Sequence, residues 1–239
     1  MKTIGLIGGM SWESTEVYYR KINLAMRQQQ GGLHSAEILL RSFDFERVVQ
    51  LQKADQWAQA GALLGEAAAR LQRAGADCVL ICTNTMHLVA KAVEAQCQIP
   101  LIDIIDETAL ALKAAGARRP LLLATRYTME HGFYHDQMKT HDLDVLVPGE
   151  DERTKVHSII FDELCRGIIR TESREALLNI IRTGMDQGAD SVILGCTEIC
   201  LSLDPDHLPC PGFDSTAIHV QAAVRFALGE TVKKASNAA

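Results

Sequence analysis

The stretch VLICTNT at residues 79–85, followed by QIPLID at 98–103, decides the architecture, because the chain repeats it: VILGCTEI at 192–199 is followed by LPCPGFD at 208–214. Each copy runs from an apolar segment to Cys-Thr-polar, then a helix-like segment, a proline, and an apolar pair closing on Asp103 or Asp214. Short apolar runs without alternation are the signature of strands buried on both faces of a parallel sheet. Such strands are expected at Thr3–Gly8, Glu37–Ser42, Cys78–Cys82, Pro100–Asp103, Pro120–Thr125, Asp144–Val147, Ser191–Gly195 and Gly212–Asp214. Helical spacing over Lys53–Ala74 and Glu172–Gln187 ends at Gly75 and Gly188, residues that favour a helix stop. This alternation predicts an α/β chain with parallel sheets. The repeat predicts two similar lobes, divided as residues 1–103 plus 216–239 and residues 104–215. No Pro/Gly/Ser tether separates them, so direct crossings join the lobes.

Composition narrows the function. With 239 residues, 47% of them hydrophobic, the chain can fill such cores. A net charge of −6 gives no basic surface for nucleic acid or an anionic membrane, and small-molecule chemistry fits better. Met1–Met10 lacks the h-region and cleavage site of a signal peptide, and no apolar run approaches the ~20 residues of a membrane span. Seven cysteines scattered through strand-like and helix-like segments do not read as a disulfide framework, so a reducing cytoplasm is the expected location.

The repeat also places the chemistry. Cys82 and Cys196 each end a strand, with Thr83 or Thr197 expected to open a helix, so both thiols belong at the carboxyl edge of a parallel sheet, where open α/β sheets bind ligands. Two facing lobes set the thiols across one cleft. A helix N-terminus is expected to lower a thiol pKa toward neutrality, making it a usable proton carrier. Thr83, Asn84, Thr85 and Thr197 are N-cap types that can also hold a substrate carboxylate or ammonium. Cys78 and Cys82 lie about 13 Å apart along a strand, too far to chelate one ion, and Cys196 with Cys200 lacks the companions of a zinc site. The turn Gly8-Gly9-Met10-Ser11 offers N–H groups to an anion without being a dinucleotide fingerprint. Thr125-Arg126-Tyr127-Thr128 is its expected counterpart in the second lobe.

Six segments together, GGMS (8–11), CTNTMH (82–87), PLIDIIDETA (100–109), ATRYTM (124–129), EDERTK (150–155) and GCTEI (195–199), resemble the aspartate/glutamate racemase family over nearly the whole chain. The resemblance implies two Rossmann-like lobes related by a pseudo-twofold axis, with the active site in the cleft between them and no cofactor. Cys82 and Cys196 take the place of the proton-transfer thiols, Cys196 acting on the L-enantiomer and Cys82 on the D-enantiomer. Arg47, in SFDFER, and Lys155, in EDERTK, match residues that recognise a side-chain carboxylate, while N–H groups near Met10 and Thr128 are expected to hold the α-carboxylate. Thr125 and Glu198 complete the expected substrate-contacting set. The expected reaction is racemisation of a free amino acid by two thiols. Where many relatives continue GGM with Gly-Pro, this chain has Ser11-Trp12-Glu13-Ser14-Thr15, which widens the expected substrate range to polar neutral amino acids. A cysteine-dependent decarboxylase or isomerase on the same lobes, or an amino-acid-binding module without catalysis, are the other readings, and a homodimer is left open.

Overall fold

In the computed structural model, which describes residues 1–230, the apolar runs form two three-stranded parallel sheets. Residues 231–239, the end of the expected 216–239 segment, lie outside the described residues. Strands β1 (Ile4–Gly8), β2 (Ile38–Ser42) and β3 (Cys78–Ile81) are ordered β2-β1-β3; β4 (Pro120–Leu123), β5 (Ser191–Leu194) and β6 (Gly212–Asp214) are ordered β4-β5-β6. The α/β class and the two-lobed parallel design expected from the repeat are what the chain adopts. β1, β3, β4 and β5 are buried throughout, which their unbroken apolar sequences require. Two expected strands shrink to single parallel bridges, Leu101 with Val79 and Leu146 with Leu121. Pro100 offers no N–H to a ladder, and Asp103 turns away to cap the next helix; Val147 runs into Pro148.

The helices are α1 (Trp12–Gln30), α2 (Phe45–Lys53), α3 (Trp57–Arg73), α4 (Ala90–Glu94), α5 (Ile104–Ala114), α6 (Arg126–Glu130), α7 (Phe133–Lys139), α8 (Glu150–Ser158), α9 (Thr171–Asp186) and α10 (Ser215–Ala227). The helix expected over Lys53–Ala74 therefore begins at Trp57, because α2 occupies Lys53 and closes behind it. Asp55 is left-handed at φ 55°, and Gln56 N–H donates to Leu51 O at 2.9 Å, a Schellman closure. Gly75 and Gly188 end α3 and α9 with the same backbone return, Ala76 N–H to Leu71 O and Ala189 N–H to Gly184 O.

One apolar core surrounds the second sheet, and two cover the faces of the first. The lobes exchange helices. α5 follows the first sheet yet buries Ile104, Ile105 and Leu112 in the core of the second; α10 follows the second sheet yet buries Val220, Val224 and Ala227 beside Ile4, Leu6 and Leu80 of the first. α5 and α10 pack on each other, and Lys2 N–H donates to Ala227 O at 2.9 Å. The closing aspartates of the repeat start both helices: Asp103 accepts from the N–H groups of Ile105 and Asp106, and Asp214 from that of Ala217. No helix of the described residues is long and apolar enough to cross a membrane.

Candidate active site

The cysteine of each repeat leaves the end of an inner strand. Cys82 N–H still donates to Ile7 O at 3.0 Å, so the ladder carries one residue past β3 before Thr83 N–H folds back on Ile81 O at 2.8 Å. Cys196 follows β5 one residue after Gly195, whose N–H donates to Leu123 O. Both thiols are buried.

A line of hydroxyls ties the two cysteine turns together across the lobes. Ser14, on α1, donates to Cys82 O at 3.1 Å and shares a 2.7 Å hydrogen bond with Thr197 Oγ1, which also meets Thr216 Oγ1 at 3.3 Å. Asn84 Nδ2 donates to Ser215 Oγ at 3.1 Å, and Ser215 in turn donates to Leu194 O. Thr85, Thr125 and Thr128 form a hydroxyl triangle with edges of 3.0, 3.0 and 3.1 Å. Asn84 Oδ1 is buried with no partner, an acceptor waiting for a donor. Cys196 Sγ–H donates to Glu198 Oε2 at 2.9 Å, and the other carboxylate oxygen accepts from Ser11 Oγ at 2.8 Å.

The expectation of helix-activated thiols is overturned. After Cys196 the chain makes only a five-residue 3₁₀ turn, Thr197–Leu201, and after Cys82 the helical segment opens at Thr85 instead of Thr83, as a 3₁₀ turn over Thr85–Val89 that runs on into α4, so neither thiol sits on the first turn of a regular α-helix. Burial instead pushes both thiols well above the ordinary cysteine range. For Cys82 burial is the whole cause; for Cys196 the charge of Glu198 and the hydrogen bond to it add to burial.

The glycine turn is built as a tight return. Gly9 is left-handed at φ 79°, and a Cβ there would run into the backbone of Phe43. Its N–H is held by Thr15 Oγ1 at 2.8 Å, so part of the expected anion cradle is used internally; Met10 is buried beside it. Thr128 N–H likewise meets its own cap, Thr125 Oγ1. Trp12 faces solvent, and from that departing segment it is Ser11 and Ser14 that reach the cysteine turns. Arg47 on α2 and Lys155 on α8 are exposed, and among the described residues neither forms a salt bridge. Trp57 of α3 sits edge-on to Tyr127 of α6 and to His131, which caps the end of α6, with centroids at 5.9 and 5.2 Å, an aromatic contact between the lobes. Among the described residues no group of three or more His, Cys, Asp or Glu is placed to hold a metal ion.

Sequence reasoning gave no role to the side chains of Ser11, Ser14, Ser215 and Thr216. The signal for the last two was present, since they directly follow Asp214, the repeat's closing residue. Ser11 and Ser14 look like ordinary helix-start residues, and Ser11 Oγ does accept Ser14 N–H at 3.2 Å.

A family model described as Asp/Glu/Hydantoin racemase matches residues 7–223. Among solved structures, an Asp/Glu racemase candidate from Yersinia pestis is 48% identical with a TM-score of 0.90, over 95% of this chain and 100% of that one. An aspartate racemase homologue from Pyrococcus horikoshii OT3 is 33% identical with a TM-score of 0.83, again over 95% of this chain and 100% of the other. The broad specificity amino-acid racemase RacX of Bacillus subtilis (strain 168) is 22% identical over 159 residues, 66% of this chain and 68% of RacX.

Proposed function

The chain belongs to the Asp/Glu/Hydantoin racemase family, and from that premise we propose that it racemises free amino acids of the aspartate/glutamate class by a cofactor-independent, two-thiol mechanism. The observation that carries the reading is the Ser14 bridge. One hydroxyl touches the Cys82 carbonyl and the Thr197 hydroxyl, so the two cysteine turns share one seam between the lobes.

Racemisation removes the Cα proton from one face and returns a proton to the other, which two thiols on opposite sides of a substrate can do. Cys196 gives its thiol proton to Glu198, whose carboxylate already accepts it as a hydrogen bond while Ser11 holds the second oxygen. The thiolate so formed takes the Cα proton of the L-enantiomer, and the Cys82 thiol delivers its proton to the opposite face. The cycle closes when Glu198 releases its proton and Cys82 regains one through solvent. The D-enantiomer runs the sequence in reverse: Cys82 loses its proton to solvent while Glu198 takes one up, the Cys82 thiolate takes the Cα proton, and Cys196 delivers its proton to the opposite face and is reprotonated by Glu198.

The negative charge that develops on the α-carboxylate needs preorganised donors, usually the largest contribution to such a barrier. The Thr85–Thr125–Thr128 hydroxyls and the Asn84 and Thr197 groups fit that role, and the unpartnered Asn84 Oδ1 fits a substrate ammonium. Burial, which holds both thiols above the ordinary cysteine range, suits this chemistry. A thiolate formed beside Cα with little hydration is a stronger base than one in water.

The test is racemisation followed by chiral chromatography, and Cα deuterium uptake from D₂O, across a panel of amino acids. Wild-type protein should invert aspartate or glutamate, while Cys82→Ala and Cys196→Ala should each lose at least about 10²-fold in racemisation with the fold intact. Near-normal inversion by either variant would sink the two-thiol mechanism.

A further inference from the structure

Beneath the Cys82 turn lie two buried imidazoles, outside the hydroxyl line just described. His87 sits four residues after Thr83, and its Nδ1 lies 2.8 Å from Thr83 O. A carbonyl can only accept, so Nδ1 carries the proton and donates it. Nε2 accepts the Ile104 N–H at 3.2 Å, at the first residue of α5. Both ring nitrogens are therefore committed in one neutral tautomer, and the ring is a strut between the cysteine turn and α5. His219 of α10 backs it at 5.9 Å, edge to face, fixed in its own tautomer by Tyr18 and the Ile102 carbonyl.

The strut acts on a peptide plane. The Thr83–Asn84 peptide is trans, so its C=O and N–H point in opposite directions. With the C=O drawn onto His87, the Asn84 N–H is turned the other way, and among the described residues it meets no acceptor. The side chain of the same residue is 4% exposed and keeps its Oδ1 unpartnered. A backbone donor and a side-chain acceptor, both unused, thus flank Cys82 at one residue.

We propose that His87 is a positioning residue of the racemisation site: it fixes the Thr83–Asn84 peptide so that the Asn84 N–H faces the cleft as a donor to the substrate α-carboxylate. The inference rests on the racemase reading above and adds a residue with no place in the proton transfers. Releasing the strut lets the peptide rotate, and a misaimed donor stabilises the developing carboxylate charge less in the transition state than in the bound substrate. The loss should fall on kcat more than on KM.

The experiment compares wild-type protein with His87→Gln, which carries one donor and one acceptor, and His87→Leu, which fills space without either. Racemisation kinetics, melting temperature and the ¹H–¹⁵N signal of the Asn84 amide during titration with aspartate are read for each. We expect the Leu variant to lose on the order of 100-fold in kcat with KM within about threefold, and to lose the aspartate-induced shift of the Asn84 amide. The Gln variant should keep kcat within about threefold and retain the shift. Leu retaining half of wild-type kcat, or a folded Gln variant losing as much as Leu, overturns the proposal. Should Leu fail to fold, Gln alone decides, a kcat loss above tenfold counting against. A wild-type protein that inverts no amino acid defeats the racemase reading; the amide titration then still reports whether His87 aims the Asn84 N–H at a bound carboxylate.

Discussion

Glu198 separates the two thiols chemically: Cys196 has a carboxylate 2.9 Å from its sulfur, and Cys82 has no such neighbour among the described residues. Replacing Glu198 by Gln removes a nearby negative charge, so the Cys196 thiolate becomes less unfavourable and its alkylation should move to lower pH, with burial still holding it above an ordinary cysteine. The same change removes the proton acceptor, so kcat should fall by about 10² or more, most when Cys196 is the base. A lowered kcat without the alkylation shift would mean that Glu198 works only through Ser11. Arg47 and Lys155 make a second prediction at this scale. Being exposed and, among the described residues, without salt bridges, they are available to a substrate side chain, and a charge-assisted contact contributes about 1.5–3 kcal/mol. Arg47→Ala and Lys155→Ala should each lower kcat/KM for aspartate and glutamate about tenfold and leave a neutral polar amino acid nearly unchanged; equal losses for all substrates would remove both from side-chain recognition.

The closing aspartates show how far elements could be read from sequence. Asp103 and Asp214 stood out as the ends of the two repeat copies, and they are matched caps of α5 and α10. Asp103→Ala should cost about 1 kcal/mol of stability. Asp214→Ala should cost more in a urea titration, because Lys21, which meets Asp214 at 2.6 Å, loses its partner too. The inner strands were legible because each is a continuous apolar run with one reading, and the cysteines because each ends such a run. The break before α3 was not legible, since in Lys53-Ala54-Asp55-Gln56 the one hint is Asp55, of a residue type that enters the left-handed region more readily than most but far less than glycine. The short 3₁₀ turn after Cys196 and the late, 3₁₀ start of the helix after Cys82 were equally hidden, because Thr after the cysteine reads as a helix cap whatever follows it. Ser14 could not be singled out for a different reason: its role depends on where Thr197, 183 residues later, comes to rest.

At the scale of the molecule, the buried His219 sets a pH limit. Burial lowers its pKa from an ordinary 6.5 to about 3. Between those values the unfolded chain binds a proton that the folded chain refuses, so stability is full above about pH 6.5 and declines as pH falls toward 3. His219→Gln keeps a donor for the Ile102 carbonyl and an acceptor for Tyr18 without titrating, and should flatten the fall of melting temperature over that window; an unchanged slope would assign the acid sensitivity elsewhere. The helix exchange between lobes carries a further consequence, one of timing. The face of the first sheet formed by Ile4, Leu6 and Leu80 is covered jointly by Tyr18, Ile22 and Met26 of α1 and by Val220, Val224 and Ala227 of α10, and the α10 residues leave the ribosome more than 130 residues after Leu80. During synthesis at roughly 5–20 residues per second, that core waits for its second half, so the earlier lobe cannot finish folding before the later one is made. The protein should consequently mature as one cooperative unit, and nascent chains stopped before Ser215 should be clients for whatever shields exposed apolar surface in the cell.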